Sequence, residues 1–148
     1  MSLGWLVVPE GYTPHVDKLA QNLFLAAATP AQHAALSAFQ PETIEILEAR
    51  RREFAQRRDY LLAALRILGF DIPVMPEGAF YIYADCRRFS NDSRHFAAEL
   101  LEQAGVAVTP GSDFGYHQAE RYMRFAYTTS LTNLEEGVQR LRRFLGST

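Results

Sequence analysis

Residues 122–130 read Tyr-Met-Arg-Phe-Ala-Tyr-Thr-Thr-Ser, and they alternate as a half-buried strand does. Met123, Phe125 and Tyr127 fall on one face; Tyr122, Arg124 and Ala126 fall on the other. Arg124 stands where an apolar residue would be the simpler choice. A guanidinium on a half-buried strand loses hydration, and an anionic partner must offset that loss. The partner is either internal, an Asp or Glu of the same chain, or external, the carboxylate or phosphate of a ligand. The planar fork of arginine suits a carboxylate held by two parallel hydrogen bonds. Taken alone, the stretch favours the internal partner, because most arginines in small domains serve structure or solubility.

Outward from that strand, helices and short strands alternate. Residues 4–9 read as a strand ended by Pro9. Pro14 opens a helix to about Ala27, with Val16, Leu19 and Leu23 on one face. Thr29 is placed to cap a second helix over residues 31–39. Pro41 starts a long helix to about Leu68, closed by Gly69. At ~40 Å this helix is long for so small a chain and would cross between two domains. Residues 70–75 and 79–84 read as strands around a Pro76-Glu77-Gly78 turn. Asp92 or Ser93 begins a helix to Ala104, and Gly105 closes it. Residues 106–109 read as another strand, and Thr132 or Asn133 caps a last helix. Residues 70–148 thus predict a ββαββα order. The fold class is α+β, a mostly antiparallel small sheet with helices packed on one face. The expected domain plan is residues 1–3 as a vector scar, 4–40 as the remnant of a larger domain, 41–69 as an inter-domain helix and 70–148 as a C-terminal domain.

Composition removes several function classes. The chain has 148 residues, 48% of them apolar and 22% charged, with a net charge of −2. That balance gives no basic footprint for nucleic acid. The arginines of residues 50–58 are interleaved with glutamates, and Glu48/Arg52 and Glu53/Arg57 are spaced for ion pairs along a solvated helix. No apolar run is long enough to span a membrane. Cys86 is the single cysteine, which fits a reducing, cytoplasmic setting and has no base beside it to activate the thiol. The four histidines are scattered away from metal-ligand spacing, and Ser112 reads as a turn serine. Fourteen arginines accompany one lysine, Lys18. Chemistry that needs a lysine of this chain must use Lys18.

Three pieces in fixed order remain: Pro76-Glu77-Gly78-Ala79-Phe80-Tyr81, then residues 106–115 (Val-Ala-Val-Thr-Pro-Gly-Ser-Asp-Phe-Gly), then Arg124-Phe125-Ala126-Tyr127. Together they resemble the C-terminal part of the class I and II aminotransferases, the fold-type-I enzymes that depend on pyridoxal phosphate. The resemblance runs back through Lys18-Leu19-Ala20-Gln21-Asn22 and Thr29-Pro30-Ala31-Gln32 to Gly4-Trp5, the end of a Gly-x-Arg-x-Gly-Trp segment. It implies that Arg124 grips the α-carboxylate of an amino acid or 2-oxo acid substrate, which turns the balance to the external partner. It also implies that Gly78 and Phe80 lie where the chain approaches substrate, against the plainer readings of a turn glycine and a core aromatic. Residues 110–115 would be a loop facing the active site, against plain turn punctuation.

The resemblance further implies a homodimer. The family's lysine that joins the cofactor lies upstream of Gly-x-Arg-x-Gly-Trp, and Ser2 stands where the family has an arginine for the cofactor phosphate. Lys18 falls on the following helix instead, and the domain with the aspartate for the pyridine nitrogen is not represented. The expectation is therefore a C-terminal piece of an aminotransferase, inactive alone, with no covalent cofactor site. The rival expectation is a non-catalytic binding or dimerisation module of the same descent.

Overall fold

A computed structural model describes residues 3–146. The readings placed on Met1 and Ser2 lie outside the described residues. The chain forms two compact units, Met1–Ala49 and Arg50–Thr148.

The first unit holds α1 (Thr13–Leu23), α2 (Thr29–Leu36) and the start of α3 (Pro41–Leu68). The strand expected over residues 4–9 is not formed; the segment is irregular up to a 3-10 turn at Glu10–Tyr12. A strand needs a ladder partner for its backbone groups, and the unit supplies none among the described residues. Thr29 lies inside α2, not at its cap. Ala28 takes the cap position without a side-chain bond, and Pro30 in the first turn presets the helical φ. Ala31 is the one buried residue of this unit among those described, while Trp5, Leu6, Val7, Leu23, Phe24 and Leu25 are exposed.

The second unit contains the rest of α3, β1 (Tyr81–Asp85), α4 (Ser93–Ala104), β2 (Thr109–Pro110), β3 (Tyr122–Ala126) and α5 (Leu131–Gly146). Its three-stranded sheet has the order β1-β3-β2 and is antiparallel throughout. Ile82 and Ala84 of β1 and Met123 and Phe125 of β3 point to one face. They form the core with Leu61, Leu62 and Leu65 of α3, Phe96 and Leu100 of α4, and Leu134, Val138 and Leu141 of α5. The period-2 alternation of β3 meets the helical stripes of three helices, and this contact defines the inner side of the sheet.

The caps of α4 show how closely local chemistry sets its ends. The Asp92 carboxylate accepts from the backbone N–H of Arg94 and His95, both at 3.0 Å. Gly105 closes the helix at φ +64, and the N–H groups of Gly105 and Val106 return to Leu101 and Leu100. That closure draws Val106 into the helix cap, so the expected strand over residues 106–109 shrinks to Thr109–Pro110. Residues 70–75 likewise give only one bridge, Asp71 with Asp85, because Pro73 and Pro76 cannot donate to a ladder. The ββαββα order becomes βαββα. Ser130, not Thr132 or Asn133, flanks the start of α5, and its Oγ accepts from the Asn133 N–H at 3.3 Å. Among the described residues no helix is long and apolar enough to cross a membrane, and no cluster of His, Cys, Asp or Glu could hold a metal ion.

Candidate functional site

The outer face of the sheet carries Tyr81, Tyr83, Tyr122 and Arg124, all half-buried. Arg124 sits on the central strand, opposite Tyr83 of β1 and Thr109 of β2. Its guanidinium lies over the rings of Phe114, 4.8 Å from the centroid, and Tyr81, at 5.6 Å. Nη2 donates to Thr109 Oγ1 at 3.2 Å. Nε is buried and has no acceptor. No carboxylate pairs with Arg124 among the described residues. A buried donor left unsatisfied costs about 1–3 kcal/mol, and Arg57 Nε is in the same state. Rings against a guanidinium contribute about 0.5–2 kcal/mol, and they leave its N–H groups unanswered.

The first and third sequence pieces meet here through Tyr127. The Tyr127 hydroxyl donates to Gly78 O at 3.0 Å, and the Tyr127 N–H donates to Phe80 O at 2.8 Å. Tyr127 is buried, and burial raises its phenol pKa above the ordinary value. The residue that ends the Arg-Phe-Ala-Tyr piece therefore holds the turn of the Glu-Gly-Ala-Phe piece. Gly78 itself is exposed, with open space where a Cβ would sit; Ala79, not the glycine, takes the left-handed conformation at φ +63. Phe80 is 44% exposed, which removes the core-aromatic reading, and its ring meets Tyr81 edge-on at 5.4 Å. It is thus one ring removed from Arg124.

The middle piece contributes Thr109, Gly111 and Phe114. A Cβ on Gly111 would lie 2.4 Å from Ala119 O and 2.7 Å from Tyr83 Oη. Gly111 is therefore required by close approach, not merely by a turn. The Tyr83 ring it admits stacks on Tyr122 at 4.9 Å and meets Phe114 edge-on at 6.4 Å. Burial, then the neighbouring Tyr122, pushes the Tyr83 phenol pKa up, so it stays a neutral hydroxyl.

At the end of the sheet lies a second arginine site that the sequence did not announce. Asp85 is 4% exposed and accepts from Arg121 Nε at 2.9 Å and Nη2 at 2.5 Å, and from the Arg87 backbone N–H at 2.9 Å and its Nε at 3.0 Å. Burial alone would raise its pKa, but the Arg87 and Arg121 hydrogen bonds outweigh burial and hold the carboxyl below its usual range. The Asp-Cys-Arg order around residue 85 was a signal in retrospect, since a carboxylate two residues before an arginine can turn onto it. Cys86 is fully buried, and burial drives its pKa to about 11, so the thiol is inert. Lys18 is exposed on α1, in the first unit. A groove of about 330 Å³ lies between residues 105–108, the end of β3 and α5, and neither Arg124 nor Phe114 lines it. Arg57 pairs with Glu53 as the spacing implies and also donates to Thr128 O at 3.0 Å.

The chain as a whole has close parallels among known proteins. The family model for aminotransferases of class I and II matches residues 1–141. The chain belongs to this family. The valine–pyruvate aminotransferase of Mycobacterium tuberculosis is 36% identical over 145 residues, which are 98% of this chain and 37% of that protein. The aspartate/prephenate aminotransferase of Thermus thermophilus is 41% identical over 146 residues, 97% of this chain and 37% of that protein. A crystal structure of an aminotransferase from Mycobacterium tuberculosis matches with a TM-score of 0.90 at 36% identity, over 98% of this chain and 38% of that one. This aminotransferase chain spans about 37% of the length of these curated relatives.

Proposed function

We propose that this chain supplies the substrate-carboxylate site of an enzyme that moves an amino group between an amino acid and a 2-oxo acid. Arg124 binds the α-carboxylate, and Phe80 and the turn at Gly78 border the bound substrate. The observation that carries this reading is that Arg124, half-buried on the outer face of the sheet, has a threonine hydroxyl and two rings beside it and no carboxylate partner among the described residues. The guanidinium would orient the carboxylate by paired, charge-assisted hydrogen bonds, and the rings of Phe114 and Tyr81 would keep water from its faces.

Pyridoxal phosphate is the cofactor that family membership implies, and it supplies the electron sink for such a reaction. Among the described residues, those around Arg124 do not assemble a cradle for it. Around Arg124 stand one threonine hydroxyl, which accepts from it, and aromatic rings, and the single lysine is exposed on α1. No step is therefore assigned to this chain beyond holding substrate, and the chain alone is expected to form no oxo acid from an amino-acid donor and added cofactor.

The test is titration of the chain with pyruvate, followed by the Arg124 Nε–H resonance. Saturable binding in the millimolar range, roughly −4 kcal/mol, and its loss in Arg124→Ala are expected. A resonance that does not move, or binding that survives the substitution, would sink the reading.

A non-catalytic binding or dimerisation module is the second reading, favoured by the first unit. Trp5, Leu6, Val7, Leu19, Leu23, Phe24 and Leu25 are all more than 60% exposed. A second copy of the chain or an exchanged segment would cover them. Light scattering at micromolar concentration should then show a dimer; a clean monomer counts against it.

A further inference from the structure

We infer that Thr109 is a positioning residue for substrate binding: its hydroxyl fixes the plane of the Arg124 guanidinium before any carboxylate arrives. The inference rests on the carboxylate-binding reading of Arg124.

Thr109 lies directly across the ladder from Arg124, and its Oγ1 accepts from Nη2 at 3.2 Å. Three features make that oxygen a fixed point. Threonine is branched at Cβ, so few χ1 rotamers are open to it. Pro110 follows, and a residue before proline is confined to extended backbone. Gly111, with no Cβ, lets Tyr83 Oη and Ala119 O press close and locks the start of the loop. The Thr-Pro-Gly order thus has a physical meaning at each position: an acceptor, a backbone clamp and a close approach.

An unrestrained guanidinium at the end of three methylenes would sample many orientations, and ordering it on binding would cost affinity. Here the guanidinium lies over two rings, Phe114 at 4.8 Å and Tyr81 at 5.6 Å. Ring contacts are tolerant of rotation within the plane; a single hydrogen bond at Nη2 is not. The hydroxyl removes that last freedom. Because Oγ1 is neutral, it sets the orientation without cancelling the charge that a carboxylate needs. An Asp at the same place would neutralise Arg124 and occupy the site.

The experiment uses the whole chain with pyruvate as the probe and the Arg124 side-chain resonances as readout. Thr109→Val keeps the shape and removes the acceptor; Thr109→Ser keeps the acceptor. We expect Thr109→Val to bind pyruvate about 5- to 10-fold more weakly and to lose the separate Nη2 signal in the free protein. Its thermal unfolding should match the parent's, and Thr109→Ser should restore both binding and signal. Equal binding by the parent and Thr109→Val overturns the inference and leaves Arg124 as the carboxylate site. Weak binding by Thr109→Ser also overturns it, since shape and not the hydroxyl would then matter. Absence of pyruvate binding by the parent chain removes the Arg124 reading itself, and the inference with it.

Discussion

Two arginines three positions apart at β3 meet opposite fates. Arg121 is bonded through Nε and Nη2 to Asp85, a carboxylate that is itself buried and also held by Arg87. Arg124 has one threonine hydroxyl and two rings, and its Nε has nothing. At Asp85 one anion and two cations meet within the fold, and the carboxylate's pKa is lowered as a result. The site at Arg124 is left open on one side of that exchange. The same side chain, at two positions on one segment of chain, meets a buried carboxylate in one case and none among the described residues in the other. What differs is only whether the chain places a carboxylate within reach.

The contrast can be broken most forcefully at Asp85. Asp85→Ala leaves two guanidiniums without their anion, and we expect about 3 kcal/mol lost, read as a lower urea midpoint at unchanged slope. If stability holds, the two arginines are not distinguished by their partners at all. Protonating the same carboxylate does less, because a neutral acid still fills the space. Its folded pKa is depressed, so its contribution is complete above the unfolded carboxyl range, about pH 4, and is lost as pH falls through the lower folded value. Urea midpoints at pH 7 and pH 3 should therefore differ less in Asp85→Asn than in the parent chain.

Gly111→Ala probes the supports of the open site. Its Cβ would meet backbone at Ala119 O and push on the Tyr83 hydroxyl, disturbing the edge-on contact of Tyr83 with Phe114. A loss of about 1–3 kcal/mol is expected, with weaker pyruvate binding. The smallest stability change belongs to Arg124→Ala. Removing a cation with no ionic partner should change the unfolding free energy read from urea curves by less than about 1 kcal/mol, while binding of pyruvate disappears. A large stability loss at Arg124 would mean that the rings and Thr109 suffice as partners, and the comparison with Arg121 would collapse.

Much of this was legible in the chain, and the rest was not for identifiable reasons. The alternation of residues 122–126 put Arg124 opposite the core face, and β3 has that burial pattern. Pro41 and Gly69 marked the ends of α3, and Asp92 and Gly105 those of α4. These signals are local: a proline, a cap or a period of two acts within a few residues. Three expected strands failed, over residues 4–9, 70–75 and 106–108, because a strand exists only with a partner that the sequence does not name. Thr29 looked like a cap and was not one, since Pro30 made the first turn without it.

The sequence by itself determined which face Arg124 occupies, where the long helices start and stop, and which family the three pieces evoke. Only the tertiary structure decided that Asp85, 36 residues before Arg121, goes to that arginine and not to Arg124. It alone put Thr109 across from Arg124, Phe114 over it and the Tyr127 hydroxyl on Gly78. Propensity and capping are written in neighbouring residues. The partner of a charge is set by strand register and loop closure, which depend on the whole chain at once.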